Sequence, residues 1–180
     1  RAEEKLNFPF VDEDGTYGMK LVVEHLISLG HERIACLAPP PELMFAHYRL
    51  QGFKEGLTVA GLQANDSLIL TGDLTQRGGY QQAGKLLDLP SPPTAIAACN
   101  DLMAFGAMSA AQDRGLVVGK DIAITGFDDI PMSEYAHPSL TTLHQPLYQI
   151  GGMVCEMLIQ LIRGEPLEDK FILLKPELVV

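Results

Sequence analysis

The sequence lacks the features that mark membrane, exported and repetitive proteins. No uninterrupted apolar run approaches the roughly 18 residues that a membrane-spanning helix needs, although 47% of the 180 residues are hydrophobic. No basic segment followed by an apolar run stands near its start, so we expect neither export nor a membrane partner. There is no internal repeat and no low-complexity tract. Together with the length, these absences indicate about one globular domain.

Cysteine and basic residues are scarce. The three cysteines, Cys36, Cys99 and Cys155, lack the spacing of metal ligands, which predicts buried, reduced thiols in a cytoplasmic protein. Lysine and arginine number 13 against 23 acidic residues, giving a formal net charge of −10. This charge argues against phosphate binding by the chain itself. Any contact with DNA would need sequence beyond these residues, and 1–7 are interpreted as the end of a segment cut away.

Short apolar runs alternate with helical patterns along most of the chain. Strands are predicted at 8–11, 34–37, 67–70, 95–99 and 122–125, and helices at 17–29, 44–57, 79–87 and 101–114. Because strand and helix alternate with short connections, we predict an α/β fold with a doubly wound parallel sheet.

The stretch 94–131 is the part around which the rest is arranged. It reads as strand, helix and strand, and a right-handed crossover places both strand ends on one edge of a parallel sheet. Asn100 and Asp128 follow the two strands, so we expect them side by side at the edge where open α/β sheets hold ligands. Asp101 is interpreted as the cap of the helix. An amide and a carboxylate suit a ligand rich in hydroxyl groups.

The chain changes character after Asp129. An irregular loop is predicted at 131–139, a strand at 140–145, a helix at 150–162 and two strands at 171–174 and 177–180. Pro146 is placed to start the helix. These elements have no obvious place in the parallel sheet, and we interpret them as part of a second lobe whose other half is missing.

Five phrases in a fixed order identify a family. They are GHERI at 30–34, YRLQGF at 48–53, CNDLMAFGA at 99–107, ITGFDD at 124–129 and PSLTTLHQP at 138–146. From about residue 8 to 180, the chain resembles the effector-binding core of LacI/GalR-type bacterial transcription regulators. The resemblance implies a type I periplasmic-binding-protein-like fold, here its second lobe with a remnant of the first.

The resemblance also implies a division of the chain. Its parts are 1–11 (remnant of the N-terminal lobe and crossover), 12–145 (C-terminal subdomain), 146–165 (helix returning to the N-terminal lobe) and 166–180 (terminal strands).

The effector contacts of the family fall on recognisable residues. Arg49 matches an arginine that forks onto ligand hydroxyls or a carboxylate. Asn100 matches an amide that donates and accepts, and Asp128 a carboxylate that accepts from adjacent hydroxyls. Phe45 stands where an aromatic ring can cover the apolar face of a sugar. Lesser contacts are expected from Gln145, Leu74, Phe10 and Asp12.

Other interpretations of these residues stay open. Phe45 can be a core residue of its amphipathic helix, and Arg49 can form a surface ion pair. Leu74 stands where several relatives have an aromatic residue, which puts stacking at that wall in doubt. No metal or cofactor is expected at the site.

Three functions follow from the sequence and the resemblance. In the first, a small sugar or polyol closes two lobes and changes how a homodimer fits operator DNA. The DNA contact would come only through an N-terminal helix-turn-helix domain absent from this chain. The resemblance assigns the dimer contacts to the loop 133–138 and the helix that starts at Asp101. The aromatic ring of Phe45 together with the bidentate guanidinium of Arg49 favours a pyranose over a purine as the ligand.

The second function is an exported periplasmic sugar-binding protein of a transport system, which shares the fold. The third is a magnesium-dependent enzyme that uses Asp101, Asp128 and Asp129 as an acidic cluster. No glycine-rich phosphate loop follows a strand, and no lysine stands in a matching place. We therefore expect the chain not to be an enzyme.

Overall fold

The structure is a computed structural model that describes residues 8–180; the segment 1–7, interpreted above as the end of a longer piece, lies outside the described residues. The strands are β1 (Phe10–Glu13), β2 (Ile34–Ala38), β3 (Ile69–Thr71), β4 (Ala95–Ala98), β5 (Ala123–Thr125), β6 (Thr142–His144), β7 (Phe171–Leu174) and β8 (Glu177–Val179). The helices are α1 (Gly15–Ser28), α2 (Met44–Val59), α3 (Gln76–Leu87), α4 (Asp101–Gln112), α5 (Met132–Tyr135) and α6 (Leu147–Arg163).

A four-stranded parallel sheet in the order β3-β2-β4-β5 forms the centre of the fold. Strands β2 and β4 are buried along their whole length, which explains their uninterrupted apolar sequences. In β2, Ala35 and Leu37 join the core beneath α3 and α4, whereas Ile34 and Cys36 join the core beneath α1 and α2. Helices thus cover both faces, and the predicted doubly wound α/β fold is confirmed.

Strands β6 and β8 form a separate two-stranded sheet beside the chain that leaves β5. The backbone N–H of Gly126 donates to the carbonyl of Thr141 at 2.9 Å, and that of Asp128 donates to Leu143 at 3.0 Å. Strand β6 thereby lies beside the chain that leaves β5, and β8 pairs with β6 in antiparallel fashion. The expectation that these segments lie outside the central parallel sheet is confirmed, because β6 and β8 form a two-stranded sheet of their own. Strand β7 pairs with β1 in another separate parallel sheet.

Helix α6 carries an apolar face that this chain leaves uncovered. It begins directly after Pro146, as predicted, and ends at Gly164, whose φ of 71° is left-handed. Met157 is its only buried residue, and its exposed large apolar residues are Leu147, Tyr148, Val154, Leu158, Ile159, Leu161 and Ile162. This face agrees with a second lobe, although the division of the chain into parts stays a prediction. Within residues 8–180, no helix is long and apolar enough to cross a bilayer.

Several local predictions differ from the structure. Strand β1 covers Phe10–Glu13 rather than 8–11, and the loop 131–139 contains the short helix α5. Cys36 and Cys99 are buried as predicted, but Cys155 is exposed. The apolar neighbours of Cys155 in sequence belong to the uncovered face of α6, so local composition misrepresents its surroundings.

The first turn of α1 presses against α2. A Cβ atom placed on Gly52 would lie 2.2 Å from the backbone oxygen of Thr16. The hydroxyl of Thr16 also donates to the carbonyl of Tyr48 at 3.3 Å. Only glycine allows this approach, which sets the position of the following turn of α2 relative to α1.

Replacing Gly52 by alanine should therefore destabilise the fold. We expect Gly52→Ala to lower the free energy of unfolding by about 2 kcal/mol or more, because backbone must move to admit the methyl group. The control is Gly151→Ala, in α6, where nothing lies within 4 Å of the added atom; it should be neutral or stabilising by up to about 1 kcal/mol. Urea denaturation of both variants measures the difference, and equal effects would contradict the close approach.

Candidate functional site

Arg49 is a buried residue of α2 and is only 6% exposed. Its Nη2 donates to Oε1 of Glu13 at 2.8 Å, and its Nη1 donates to the backbone carbonyl of Cys99. The ring centroids of Phe127 and Phe45 lie 3.6 and 4.7 Å from its Cζ atom. The guanidinium is therefore held by protein groups, and the alternative of a surface ion pair is wrong.

Glu13 is the site residue that sequence reasoning missed. It ends β1, is 8% exposed, and has its pKa raised by burial, an effect that the charge of Arg49 opposes. In the sequence it stands within the turn-like cluster Asp12-Glu13-Asp14, where side chains are expected to point to solvent. The available signal is the two-residue period of a strand, since Val11 and Glu13 face inward while Asp12 faces outward.

Asp128 stands at the carboxyl edge of the sheet, just after β5. Its Oδ1 lies 3.7 Å from Nη1 of Arg49 and accepts from Nε2 of Gln145 at 2.6 Å. Burial is the main cause that raises the pKa of its carboxyl to about 6, with Asp101 and Glu13 adding to it and Arg49 opposing it. The side chain is still 30% exposed, so this carboxylate can accept hydrogen bonds from a ligand.

Asn100, and not Asp101, caps α4. The backbone of Asn100 is extended, with φ −153° and ψ 164°, as a cap requires. Its Oδ1 accepts from the N–H of Met103 at 2.9 Å, and its Nδ2 donates to the carbonyl of Leu74 at 3.0 Å. The cap predicted at Asp101 is wrong because the chain enters helical geometry one residue earlier, so that Asp101 is already the first residue of the helix. The amide of Asn100 thus holds two backbone segments at the edge.

The carboxylate of Asp101 ties three segments together. It is fully buried and accepts from the N–H of Ile130 at 2.9 Å, from the hydroxyl of Ser133 at 2.7 Å, and from the hydroxyl of Thr142. Asp129 pairs instead with a histidine of β6 at 2.7 Å. Among residues 8–180, no three histidine, cysteine, aspartate or glutamate residues are grouped so that they could hold a metal ion.

The predicted contact residues fall into three groups. The structure brings Arg49, Asp128, Gln145 and Phe45 into one cluster. Asn100 lies next to this cluster, because Arg49 donates to the carbonyl of the preceding residue, Cys99. Leu74 is connected to the cluster through Asn100, whose amide donates to the carbonyl of Leu74. Phe10 instead packs on Phe171, with ring centroids 5.3 Å apart, and Asp12 is exposed and accepts from the N–H of Glu13. The role of all eight as ligand contacts stays a prediction.

A cavity of about 530 Å³ opens beside this cluster. Its lining includes Asp128, Gln145, Tyr148, Lys175 and Glu177. Carboxylates, an amide and a phenol offer both acceptors and donors, which is the chemistry that a polyhydroxylated molecule needs.

Comparison with known proteins places this geometry in a family. The model of the periplasmic binding protein-like domain matches residues 23–180. The chain belongs to the periplasmic binding protein-like family. It is 38% identical over 176 residues to the HTH-type transcriptional repressor CytR of Escherichia coli K12, a match that covers 98% of this chain and 52% of the relative.

Solved structures agree with this membership. A regulatory protein of the LacI family from Chloroflexus aggregans is 44% identical with a TM-score of 0.93, over 96% of this chain and 62% of that one. The transcriptional regulator CelR in complex with cellobiose is 33% identical with a TM-score of 0.91, over 96% of this chain and 53% of that one. The resemblance to the LacI-type effector-binding core is thus confirmed. The chain spans about half the length of the curated relatives it matches.

The raised pKa of Asp128 leads to a prediction about stability. Burial raises the pKa of Asp128 in the folded state to about 6, above the ordinary value of an aspartate. The stability that protonation contributes is therefore present below about pH 4 and lost as the pH rises through 6. We expect Asp128→Asn to increase the free energy of unfolding by about 1–3 kcal/mol at pH 8 and by much less at pH 4.

Asp129→Asn provides the matched control for this measurement. Both residues have positive φ angles, 131° at Asp128 and 53° at Asp129. Aspartate and asparagine are both enriched at positive φ, so we expect the backbone contribution to change little in either variant. Denaturant titrations at the two pH values separate the effects. A gain for Asp128→Asn that is the same at pH 4 and pH 8 would show that its charge carries no penalty.

Proposed function

We propose that this chain is the effector-binding and dimerisation part of a LacI-type transcription regulator, which binds a small sugar or polyol and thereby changes operator DNA binding. The observation that carries the proposal is the cluster at the carboxyl edge of the sheet, where Arg49 lies between Glu13 and Asp128. Open α/β sheets bind ligands at this edge. The partly exposed Asp128 supplies the acceptor that a hydroxyl needs.

A sugar fits the chemistry of this edge. Charged acceptors such as Asp128 form stronger hydrogen bonds with hydroxyls than neutral acceptors do. Phe45 provides an aromatic ring next to Arg49 in the same cluster. The neighbour CelR, solved with cellobiose, supports a sugar as the class of effector. Among sugars, the polar and aromatic groups together favour a pyranose.

Effector binding can act through the crossover between lobes. Gln145 binds Asp128 and lies between the end of β6 and the start of α6. A ligand held by Asp128 therefore contacts the chain at the point where it leaves this lobe. The effector shifts the open and closed states only by the difference between its affinities for them.

A homodimer forms in this proposal through the face that the resemblance implies. Phe105 and Met108 of α4 border a cavity of about 440 Å³ together with Met132 and Tyr135 of α5. Met132 is 59% exposed and Tyr135 is 71% exposed, so apolar surface is available there. Two-fold pairing of one such face closes a dimer. Operator binding belongs to a helix-turn-helix domain beyond these residues, and the regulator acts in the cytoplasm.

The other two functions have weaker support. The relatives are repressors, which favours a regulator over an exported transport receptor. Asp101 accepts hydrogen bonds from three protein donors. This carboxylate of the acidic cluster considered for a magnesium enzyme therefore already has a structural role. We propose that the chain has no catalytic role.

Sugar binding by the protein from the complete reading frame tests the proposal. We expect one or more neutral mono- or disaccharides to raise its melting temperature, because a ligand of the native state at about 100 times its Kd adds about 2.7 kcal/mol. Asp128→Ala should weaken that binding at least about tenfold, whereas Glu24→Ala, at an exposed position of α1, should not. A reading frame that opens with a secretory leader, or the absence of any sugar response, would contradict the regulator.

The affinity for the sugar should depend on pH. Protonation of Asp128 below about pH 6 removes charged acceptor capacity, so binding should weaken as the pH falls from 7.5 to 5. Calorimetric titrations across this range measure the effect. In Asp128→Asn, the weaker residual binding should lose this pH dependence, and an unchanged profile would assign the effect to another group.

A further inference from the structure

We propose that Glu13 makes this site select uncharged sugars over phosphorylated or carboxylated ones. The inference rests on the proposed function, since it names the chemical class of the sugar that the same site binds. Its basis is the distribution of charge around Arg49, the cation of the cluster.

The charge of Arg49 is already matched inside the protein. Its Nη2 lies 2.8 Å from Oε1 of Glu13, and the two side chains are 7% and 6% exposed. Its other terminal nitrogen donates to the carbonyl of Cys99. Opposite charges that are so close and so little hydrated attract each other strongly. An incoming anion would have to compete with Glu13 and with the carbonyl of Cys99 for the terminal nitrogens of the guanidinium.

Glu13 cannot readily swing away from Arg49. The backbone of Gly15 packs on the pair, so that a Cβ there would lie 3.3 Å from Cγ of Arg49 and 3.5 Å from both carboxylate oxygens of Glu13. The first turn of α1 also holds α2 through the contact between Thr16 and Gly52. The pair is therefore packed in a buried position behind Asp128.

The second carboxylate next to Arg49, that of Asp128, lines the cavity. Asp128 lies 3.7 Å from Arg49 and is 30% exposed, and burial raises the pKa values of both Asp128 and Glu13 despite the guanidinium between them. With both carboxylates ionised, the three groups carry a net charge of −1. A hydroxyl can donate to Asp128, whereas the oxygens of an ionised phosphate or carboxylate only accept.

The cavity beside Asp128 does not reverse this balance. Its lining adds the acidic side chains of Asp129 and Glu177 to Asp128, against Lys175 and His144. His144 is engaged by Asp129 at 2.7 Å, and the ammonium group of Lys175 lies over the ring of Tyr17 at 4.6 Å. The described part of the wall thus favours a neutral donor of hydrogen bonds.

Matched pairs of ligands test the inference on the protein from the complete reading frame. Calorimetry or thermal shift would compare glucose with glucose 6-phosphate, ribose with ribose 5-phosphate, and cellobiose with cellobiose 6-phosphate. For the pair that binds, we expect the neutral sugar to bind at least about tenfold more tightly, which corresponds to about 1.4 kcal/mol.

Variants then assign the selectivity to Glu13. Glu13→Gln frees the charge of Arg49 and should reduce the preference for the neutral sugar at least about threefold, whereas Glu13→Asp should retain most of it. The control Glu24→Gln makes the same change of charge at an exposed position of α1 and should leave the preference unchanged. If Glu13→Gln does not fold, the wild-type ratio and Glu13→Asp still decide the class of ligand.

The possible outcomes distinguish failure of this inference from failure of the proposed regulator function. A phosphate ester that binds the wild type as tightly as its parent sugar overturns the inference and leaves the regulator standing. An equal shift in Glu13→Gln and Glu24→Gln overturns the role of Glu13. The absence of binding by every neutral and phosphorylated sugar overturns both proposals.

Discussion

The buried ion pair between Glu13 and Arg49 joins two parts of this chain. Glu13 ends β1, which belongs to the small sheet with β7, and Arg49 belongs to α2, which covers the central sheet. A buried charge without its partner is strongly unfavourable, so neither part can shift far without disturbing the other. The junction of the two sheets therefore lies directly beside Asp128, a lining residue of the cavity.

Two polar residues at the start of α4 link neighbouring segments to that helix. Asn100 links α4 to the loop at Leu74, and Asp101 links it to the loop after β5 and to β6. These side chains are used by the backbone and by neighbouring hydroxyls, whereas Asp128 lines the cavity and is 30% exposed. Asn100 and Asp101 thereby fix the positions of the segments around Asp128.

Two apolar surfaces, the uncovered face of α6 and the exposed residues of α5, have no covering partner within the described residues 8–180. The first surface follows Gln145 in the chain, and the second borders the face that we propose for dimerisation. Apolar surface of this kind is normally buried against another part of the protein. Its presence agrees with a chain that spans about half of its curated relatives.

The sequence by itself determined the α/β class, the order of the elements and the family, because these depend on local patterns and on phrases such as CNDLMAFGA. It also placed Arg49 and Asp128 at the site, through the resemblance and through the rule that parallel strands end at one edge. Only the tertiary structure decided that Glu13 faces inward, that Asn100 is the cap, and that β6 pairs with β8 beside the chain that leaves β5. Each of these depends on a partner distant in sequence, and burial by distant residues leaves little trace in the local pattern.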